Sequence, residues 1–292
     1  MLKKIVSTMY QSLKSTVMRN KKTLLITGAN GQVGTLLQKH LYQDYRLRIA
    51  DIKSCETTYT SDVHTIDILQ PESLKGIMKG IDCVIHLAAI PTEISDSEAI
   101  LTTNILGTKH VLEAAKNAHV SRFILASSIH AVGFYPRTET LSRLTLPRPS
   151  GFYGVSKVAC EALVRLYADK YGLPGICLRI NSLQPKPQDA RQLTTWLSEA
   201  DAVRLFQAAI EDFPDLHFEI LYGVSNNTQK KLNNHGARID FSPQDDAEIY
   251  RQFIKEHALP EGKIAQHFHG GPFTEKFFDG NLERTLHSVL DD

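Results

Sequence analysis

No stretch of this chain approaches the roughly 20 consecutive apolar residues that a membrane-spanning helix needs, so nothing in it asks for a bilayer. Cysteine is scarce. The four are Cys55, Cys83, Cys160 and Cys177, and no two form a C-x-x-C pair. That spacing speaks against a disulfide framework and against a zinc site, so no metal is expected and a reducing, cytoplasmic setting is. Cys83 and Cys177 lie in apolar runs, where a free cysteine behaves as a small buried hydrophobe. An excess of either charge is missing too: 33 basic side chains nearly cancel 32 acidic ones. Neither nucleic acid nor an anionic membrane is therefore expected as the main partner. There is no internal repeat and no low-complexity tract. What remains is a chain of 292 residues, long enough for one large domain or a domain with an appended lobe.

Residues 1–22 stand apart, with six Lys or Arg, no acid, and Leu2, Ile5, Val6, Met9, Leu13 and Val17 at helical spacing. This reads as a basic amphipathic extension without the continuous apolar core or small-residue cleavage site of a secretory signal. A surface or oligomer-contact helix, an upstream start with Met18 as the true first residue, and a mitochondrial-type transit peptide all fit it.

From Lys22 onward apolar runs alternate with helical patterns. Thr23–Ile26, Tyr45–Asp51, Cys83–Leu87, Arg122–Ala126 and Gly175–Ile180 read as buried strands. Gln32–Tyr42, Asn104–Ala118 and Gly154–Tyr171 read as helices between them. Strand and helix in alternation with short connections predict an α/β fold, a parallel sheet covered on both faces. The regularity fades after Ser182, where Pro185 and Pro187 bracket a loop and helical patterns at 199–211 and 245–256 are separated by loops. The expected organisation is a core over residues 23–181 and a small C-terminal lobe over 182–292 that completes a substrate pocket.

The turn Thr27-Gly-Ala-Asn-Gly-Gln-Val-Gly34 stands between the first strand and the first helix, with Gly28, Gly31 and Gly34 in G-x-x-G-x-x-G spacing. Glycine there permits the tight turn, backbone approach to a pyrophosphate, and close helix–strand packing. Gln32 and Val33 open the helix, whose N-terminus offers free N–H groups and the positive end of its dipole to phosphates. Asp51 ends the second strand, where a carboxylate accepts ribose hydroxyls and repels a 2′-phosphate, which favours NAD over NADP. Lys53 beside it works the other way. Asp67 and Ile68 follow a short strand and are expected near the adenine, and Leu87, Ala88 and Ala89 follow the fourth strand at the cofactor's crossing.

Tyr153 and Lys157 stand one helical turn apart in Y-G-V-S-K, so both side chains share a helix face. A cation beside a phenol favours its ionised form, and such a phenolate serves as a general base. Ser128 ends the preceding strand, from which its hydroxyl reaches the same crevice. Taken alone, a Y-x-x-x-K spacing is common; in order after a glycine turn and a strand-end serine it predicts a proton-transfer site.

These marks, T-G-A-N-G-Q-V-G, H-L-A-A at 86–89, Asn104, S-S at 127–128 and Y-G-V-S-K, resemble the extended short-chain dehydrogenase/reductase superfamily over nearly all of residues 22–290. The resemblance implies a Rossmann-type doubly wound sheet with a C-terminal substrate lobe, NAD as cofactor, and Ser128, Tyr153 and Lys157 as catalytic residues. Asn104 would support the sheet and relay, and a homo-oligomer is common in the superfamily. Within it, S-S-I-H-A-V-G-F-Y-P-R-T-E-T at 127–140, R-P-S-G-F-Y-G-V-S-K at 148–157, L-R-I-N-S at 178–182 and P-K-P-Q-D-A-R-Q-L-T-T-W-L-S at 185–198 are similar to the uronate dehydrogenases. Those enzymes oxidise C1 of a hexuronic acid to a lactone with NAD. Carried across residue by residue, Thr92, Ser128, Ile129, His130, Ser182 and Arg191 stand at substrate-contact positions, and Leu183 stands beside the nicotinamide. The implied partner is a small sugar acid. Arg191 also suits the task chemically, since a guanidinium fork grips a carboxylate in a bidentate manner.

The chain departs from that pattern at three places: Ile129 replaces an asparagine, Asn181 a glycine and Leu183 a cysteine. Isoleucine for asparagine removes a hydrogen-bonding group from the expected pocket. Other functions share the scaffold: a sugar-nucleotide epimerase or dehydratase, for which 110 C-terminal residues are few, another aldose dehydrogenase, and a non-catalytic NAD sensor, against which the intact Tyr153 and Lys157 speak.

Overall fold

The computed structural model describes residues 21–211, 215–258 and 260–288, and the basic extension, apart from its last two residues, lies outside them. Seven strands form one parallel sheet: β1 (Thr23–Thr27), β2 (Arg46–Asp51), β3 (Val63–Thr65), β4 (Cys83–His86), β5 (Arg122–Ser128), β6 (Gly175–Ile180) and β7 (Phe218–Gly223). Their order is β7-β6-β5-β4-β1-β2-β3, so the chain runs outward from β1 to β3 and then crosses back to the other side. The crevice between β1 and β4 is thus a topological switch point at the carboxyl ends of the strands, the place where ligands bind in such sheets.

Alternation along each strand builds two cores. Leu24, Ile26, Ile49, Ile85, Ile124 and Leu178 point to one face and meet α1 (Gln32–Leu41) and a helix at Glu199–Ile210 through Leu37, Leu41 and Phe206. Leu25, Ala50, Val84, Phe123, Leu125 and Cys177 point to the other. There they meet α2 (Gly107–Asn117) and α3 (Phe152–Tyr171) through Val111, Leu112, Cys160 and Val164. Because both faces are covered, the strands read as continuous apolar runs. Gly172 closes α3 in the left-handed conformation (φ 67°), which satisfies the last carbonyls of the helix.

Two expected boundaries shift. The helix read over Asn104–Ala118 begins earlier, as one turn at Ser97–Leu101, passes through a wider π turn at Thr102–Leu106, and becomes α2 at Gly107. A π turn inserts where a side chain is needed elsewhere, and Asn104 lies inside it. The second shift concerns the core, which does not stop at residue 181. α4 (Glu199–Ile210) packs on the sheet and β7 adds its seventh strand, paired with β6. β7 was unreadable as a strand because Phe-Glu-Ile-Leu-Tyr-Gly carries Glu219, whose charge is held by Arg143 at 2.7 Å. The remaining C-terminal chain is loops, short helices and two small ribbons, Leu141–Ser142 with Leu232–Asn233 and Ser182–Leu183 with Trp196–Leu197. Among the described residues no helix is long and apolar enough to cross a membrane.

Candidate active site

A cavity of about 700 Å³ runs along the carboxyl ends of the strands, from Asp51 and Gly28 at one end to Arg191 and Phe273 at the other. Every cofactor, catalytic and substrate residue named from the sequence lines it except Thr92. The Thr92 hydroxyl instead accepts the backbone N–H of Ile94 at 3.1 Å and folds its own loop. Asn104 lies behind the cavity wall: its Oδ1 accepts from Ile90 N (2.7 Å), while Nδ2 donates to Ile90 O (3.1 Å) and Ser156 Oγ (2.9 Å). It therefore ties the loop after β4 to α3.

At the Gly28 end the backbone does the binding. Gly28 has φ +70°, and a methyl group there would lie 2.6 Å from the Ala88 nitrogen. At Gly34 it would lie 2.5 Å from Ala29 O, so α1 can approach β1 only with glycine. No side chain caps α1, which leaves its first N–H groups for an anion. Asp51 is held ready by the same turn, Oδ2 accepting from Asn30 N (3.0 Å) and Oδ1 from Lys53 N (3.1 Å). Gln32 Nε2 donates to Leu183 O (3.1 Å) and links the glycine turn to the far wall. An uncapped helix end, a glycine cradle and an oriented carboxylate fit the pyrophosphate and ribose of a dinucleotide.

In the middle, α3 brings Tyr153 and Lys157 against the end of β5. Lys157 Nζ donates to Ala126 O at 2.7 Å and lies 5.5 Å from the centre of the Tyr153 ring. Ser128 Oγ accepts from His130 N (3.2 Å), which fixes the hydroxyl at the cavity edge. Two buried carboxylates that sequence reasoning missed hold this helix. Glu93 Oε1 accepts the N–H groups of Tyr153 (2.7 Å) and Gly154 (3.3 Å), the open first turn of α3. Burial raises the Glu93 pKa, and the helix N–H groups draw it back down. Glu161, one turn beyond Lys157, receives Arg179 in a bidentate pair (both 2.9 Å) and Ser127 Oγ (2.5 Å). A lone glutamate in a loop or helix gives no sequence signal for either task.

The far end is built from the C-terminal chain. Arg191 is nearly buried, its Nε has no partner among the described residues, and its hydrogen bonds inside the protein are long: Thr195 Oγ1 at 3.4 Å and His269 O at 3.5 Å. The nearest carboxylate oxygen, of Asp189, is 3.8 Å away. Burial pushes the Arg191 pKa below its usual value, so the charge is stored at a cost. His130 lies close by, with its Nδ1 2.8 Å from Ser150 Oγ and its ring stacked on Phe273 at 4.1 Å. Burial, and then the charge of Arg191, push its pKa down to about 3, so its ring is neutral. Phe273 follows the turn Gly270-Gly271-Pro272, where Arg191 packs so closely that a methyl group on Gly271 would lie 2.6 Å from its Nε. No local pattern around Gly270-Gly271-Pro272 signals that an aromatic wall of the cavity follows it.

Ile129 lines the cavity and also packs inward. Its side chain joins Val132, Leu141, Tyr222, Val224 and Leu232 in a separate apolar cluster. The isoleucine is a core residue here, satisfied by packing, and the polar wall is built by its neighbours. Ser182 Oγ pairs with Thr195 Oγ1 (3.0 Å), and Asn181 Nδ2 donates to Arg179 O and Gly223 O (both 3.1 Å).

This fold and this cavity define an NAD-dependent dehydrogenase of the extended short-chain type. The chain belongs to the NAD dependent epimerase/dehydratase family, whose pattern matches residues 24–211. It is 34% identical over 255 residues to the uronate dehydrogenase of Pseudomonas syringae pv. tomato, covering 86% of this chain and 92% of that one. It is equally 34% identical over 247 residues to an NAD-dependent glucose-6-phosphate dehydrogenase of Haloferax volcanii, covering 77% and 94%. Among solved structures it is similar to a mutant uronate dehydrogenase from Agrobacterium tumefaciens complexed with NAD. That likeness has a TM-score of 0.82 and 34% identity, covering 87% of this chain and 97% of that one.

Proposed function

We propose that this chain oxidises the anomeric C1 of a hexuronic acid, galacturonate or glucuronate, to the aldarolactone. The observation that supports it is Arg191: a nearly buried guanidinium on the cavity wall with no carboxylate of the described residues within hydrogen-bond distance. A nearly buried cation whose nearest carboxylate, that of Asp189, stands 3.8 Å away is only loosely paired, and a substrate carboxylate completes the pairing with two parallel hydrogen bonds.

In this reading the carboxylate lies against Arg191 and the C1 hydroxyl against Tyr153. Bound NAD supplies the hydride acceptor. Ser128 orients the reacting oxygen, Tyr153 as phenolate takes its proton, and Lys157, anchored on Ala126 O, holds the phenolate and the nicotinamide ribose. Asp51 accepts the adenosine ribose hydroxyls, Asp67 and Ile68 flank the adenine, and Leu183 packs beside the nicotinamide. His130 and Ser182 contact the sugar. The enzyme works in the cytoplasm and as a homo-oligomer, and the exposed apolar side chains of Phe152, Val155, Leu166 and Tyr171 along α3 support self-association.

The test is a panel of candidate substrates with NAD, followed by NADH absorbance: galacturonate, glucuronate, galactose, glucose, glucose 6-phosphate and UDP-sugars. Hexuronates are expected to be turned over best, and Tyr153→Phe to abolish turnover. Equal rates with a UDP-sugar would point to the sugar-nucleotide enzymes. Tight NAD binding without turnover of any sugar would point to a sensor.

A further inference from the structure

Ser150 is buried, and its hydroxyl has one partner among the described residues, the Nδ1 of His130 at 2.8 Å. The hydroxyl proton needs an acceptor, and the unprotonated Nδ1 of a neutral imidazole is the one the protein offers. If Ser150 donates to Nδ1, the ring proton must sit on Nε2. The ring cannot easily turn to exchange its nitrogens. Phe273 lies flat on it at 4.1 Å, and the Tyr153 ring meets it edge-on at 5.8 Å. The backbone of the two residues is also joined, Ser150 N donating to His130 O at 3.0 Å.

We propose that Ser150 is a positioning residue for specificity: it fixes His130 as the Nε2–H tautomer, so that the cavity wall beside Arg191 presents a second hydrogen-bond donor. The ring is neutral there, because burial and the neighbouring guanidinium oppose its protonation. A neutral N–H beside a fixed cation suits an acceptor oxygen of the substrate, either the second carboxylate oxygen or an adjacent hydroxyl turned to accept. This rests on the hexuronate reading for the identity of that oxygen, but the tautomer itself does not depend on it.

The tautomer is read directly from the ring ¹⁵N shifts of His130 in the substrate-free protein, assigned by the loss of its signals in His130→Gln. The expected pattern in the wild type is a protonated Nε2 and an unprotonated Nδ1. In Ser150→Ala the pattern should shift toward the other tautomer or a mixture. The KM for hexuronate should then rise on the order of tenfold, with kcat and NAD affinity nearly unchanged. A wild-type ring protonated on Nδ1 would overturn the proposal without any variant, and so would a Ser150→Ala protein with unchanged KM and unchanged shifts. If the wild type shows the Nε2–H ring yet turns over no hexuronate, the substrate reading fails while the tautomer assignment stands.

Discussion

Glu93 accepts the backbone N–H of Tyr153 at 2.7 Å, so the loop leaving β4 holds the first turn of the helix that carries the phenol. The carboxylate replaces the missing cap of α3, which has no side-chain cap of its own from Gly151. Helix position and phenol position are thereby one problem, solved by one buried acid. Glu93→Gln keeps an acceptor oxygen and is expected to retain most activity. Glu93→Ala loses the cap, with a stability loss of about 1 kcal/mol and a fall in kcat that exceeds any change in NAD affinity. Burial raises the Glu93 pKa above 4.5, so the charged form is the disfavoured one in the folded chain. The stability advantage of Glu93→Gln should therefore be absent below that pH and grow as pH rises, measured as thermal midpoints across the acid range.

Two buried histidines and the half-buried His130 give the opposite slope. His86 and His130 are pushed down to about 3 and His269 to about 4, in each case first by burial. The unfolded chain protonates them near 6.5 while the folded chain does not. Stability present above pH 6.5 is then lost as pH falls toward 4, by roughly 1.4 kcal/mol per pH unit for each histidine. Urea unfolding at pH 7 and pH 5 tests this. Equal stability at the two values would contradict the burial assigned to all three.

The Glu161–Arg179 pair bolts α3 to β6, with both side chains almost wholly inside the protein. Removing one partner strands the other. Glu161→Ala is expected to lose about 3–5 kcal/mol in denaturant unfolding. Replacing both, as Glu161→Leu with Arg179→Met, should recover most of that loss, because the desolvation of two charges disappears with them. A double variant as weak as the single one would show that the pair's role is not electrostatic.

Arg191 trades stability for recognition. With Asp189 3.8 Å away, no carboxylate of the described residues at hydrogen-bond distance, and its pKa lowered by burial, it should make the folded chain less stable than an apolar residue of its size. Arg191→Met is expected to raise the thermal midpoint in the absence of sugar, and hexuronate to stabilise the wild type but not the variant.

Much of this was written in the sequence, where local rules act. The glycine turn, Asp51, Ser128 and the Tyr153–Lys157 pair depend on short segments whose spacing sets their geometry, and they converge on one cavity. What escaped depends on long-range contact. β7 looks too polar for a buried strand until Arg143 is brought to Glu219 from 76 residues away. Glu93 has no local partner and meets α3 across 60 residues. Phe273 reaches His130 only after the C-terminal chain has folded back over the strand ends. Thr92 and Ile129 belong to stretches whose role the sequence marks, but the contacts of Thr92 within its own loop and of Ile129 in an apolar cluster are set only by the folded chain.

Arg191 is the residue that, in the proposed function, reads the substrate carboxylate. The direct measurement is the ratio of kcat/KM for galacturonate to that for galactose, in the wild type and in Arg191→Met. The two sugars differ only at C6, so the ratio isolates that contact. It should strongly favour galacturonate in the wild type and fall by about tenfold to a hundredfold in the variant, the worth of a charged hydrogen-bonded pair. A ratio that is the same in both proteins would contradict the account.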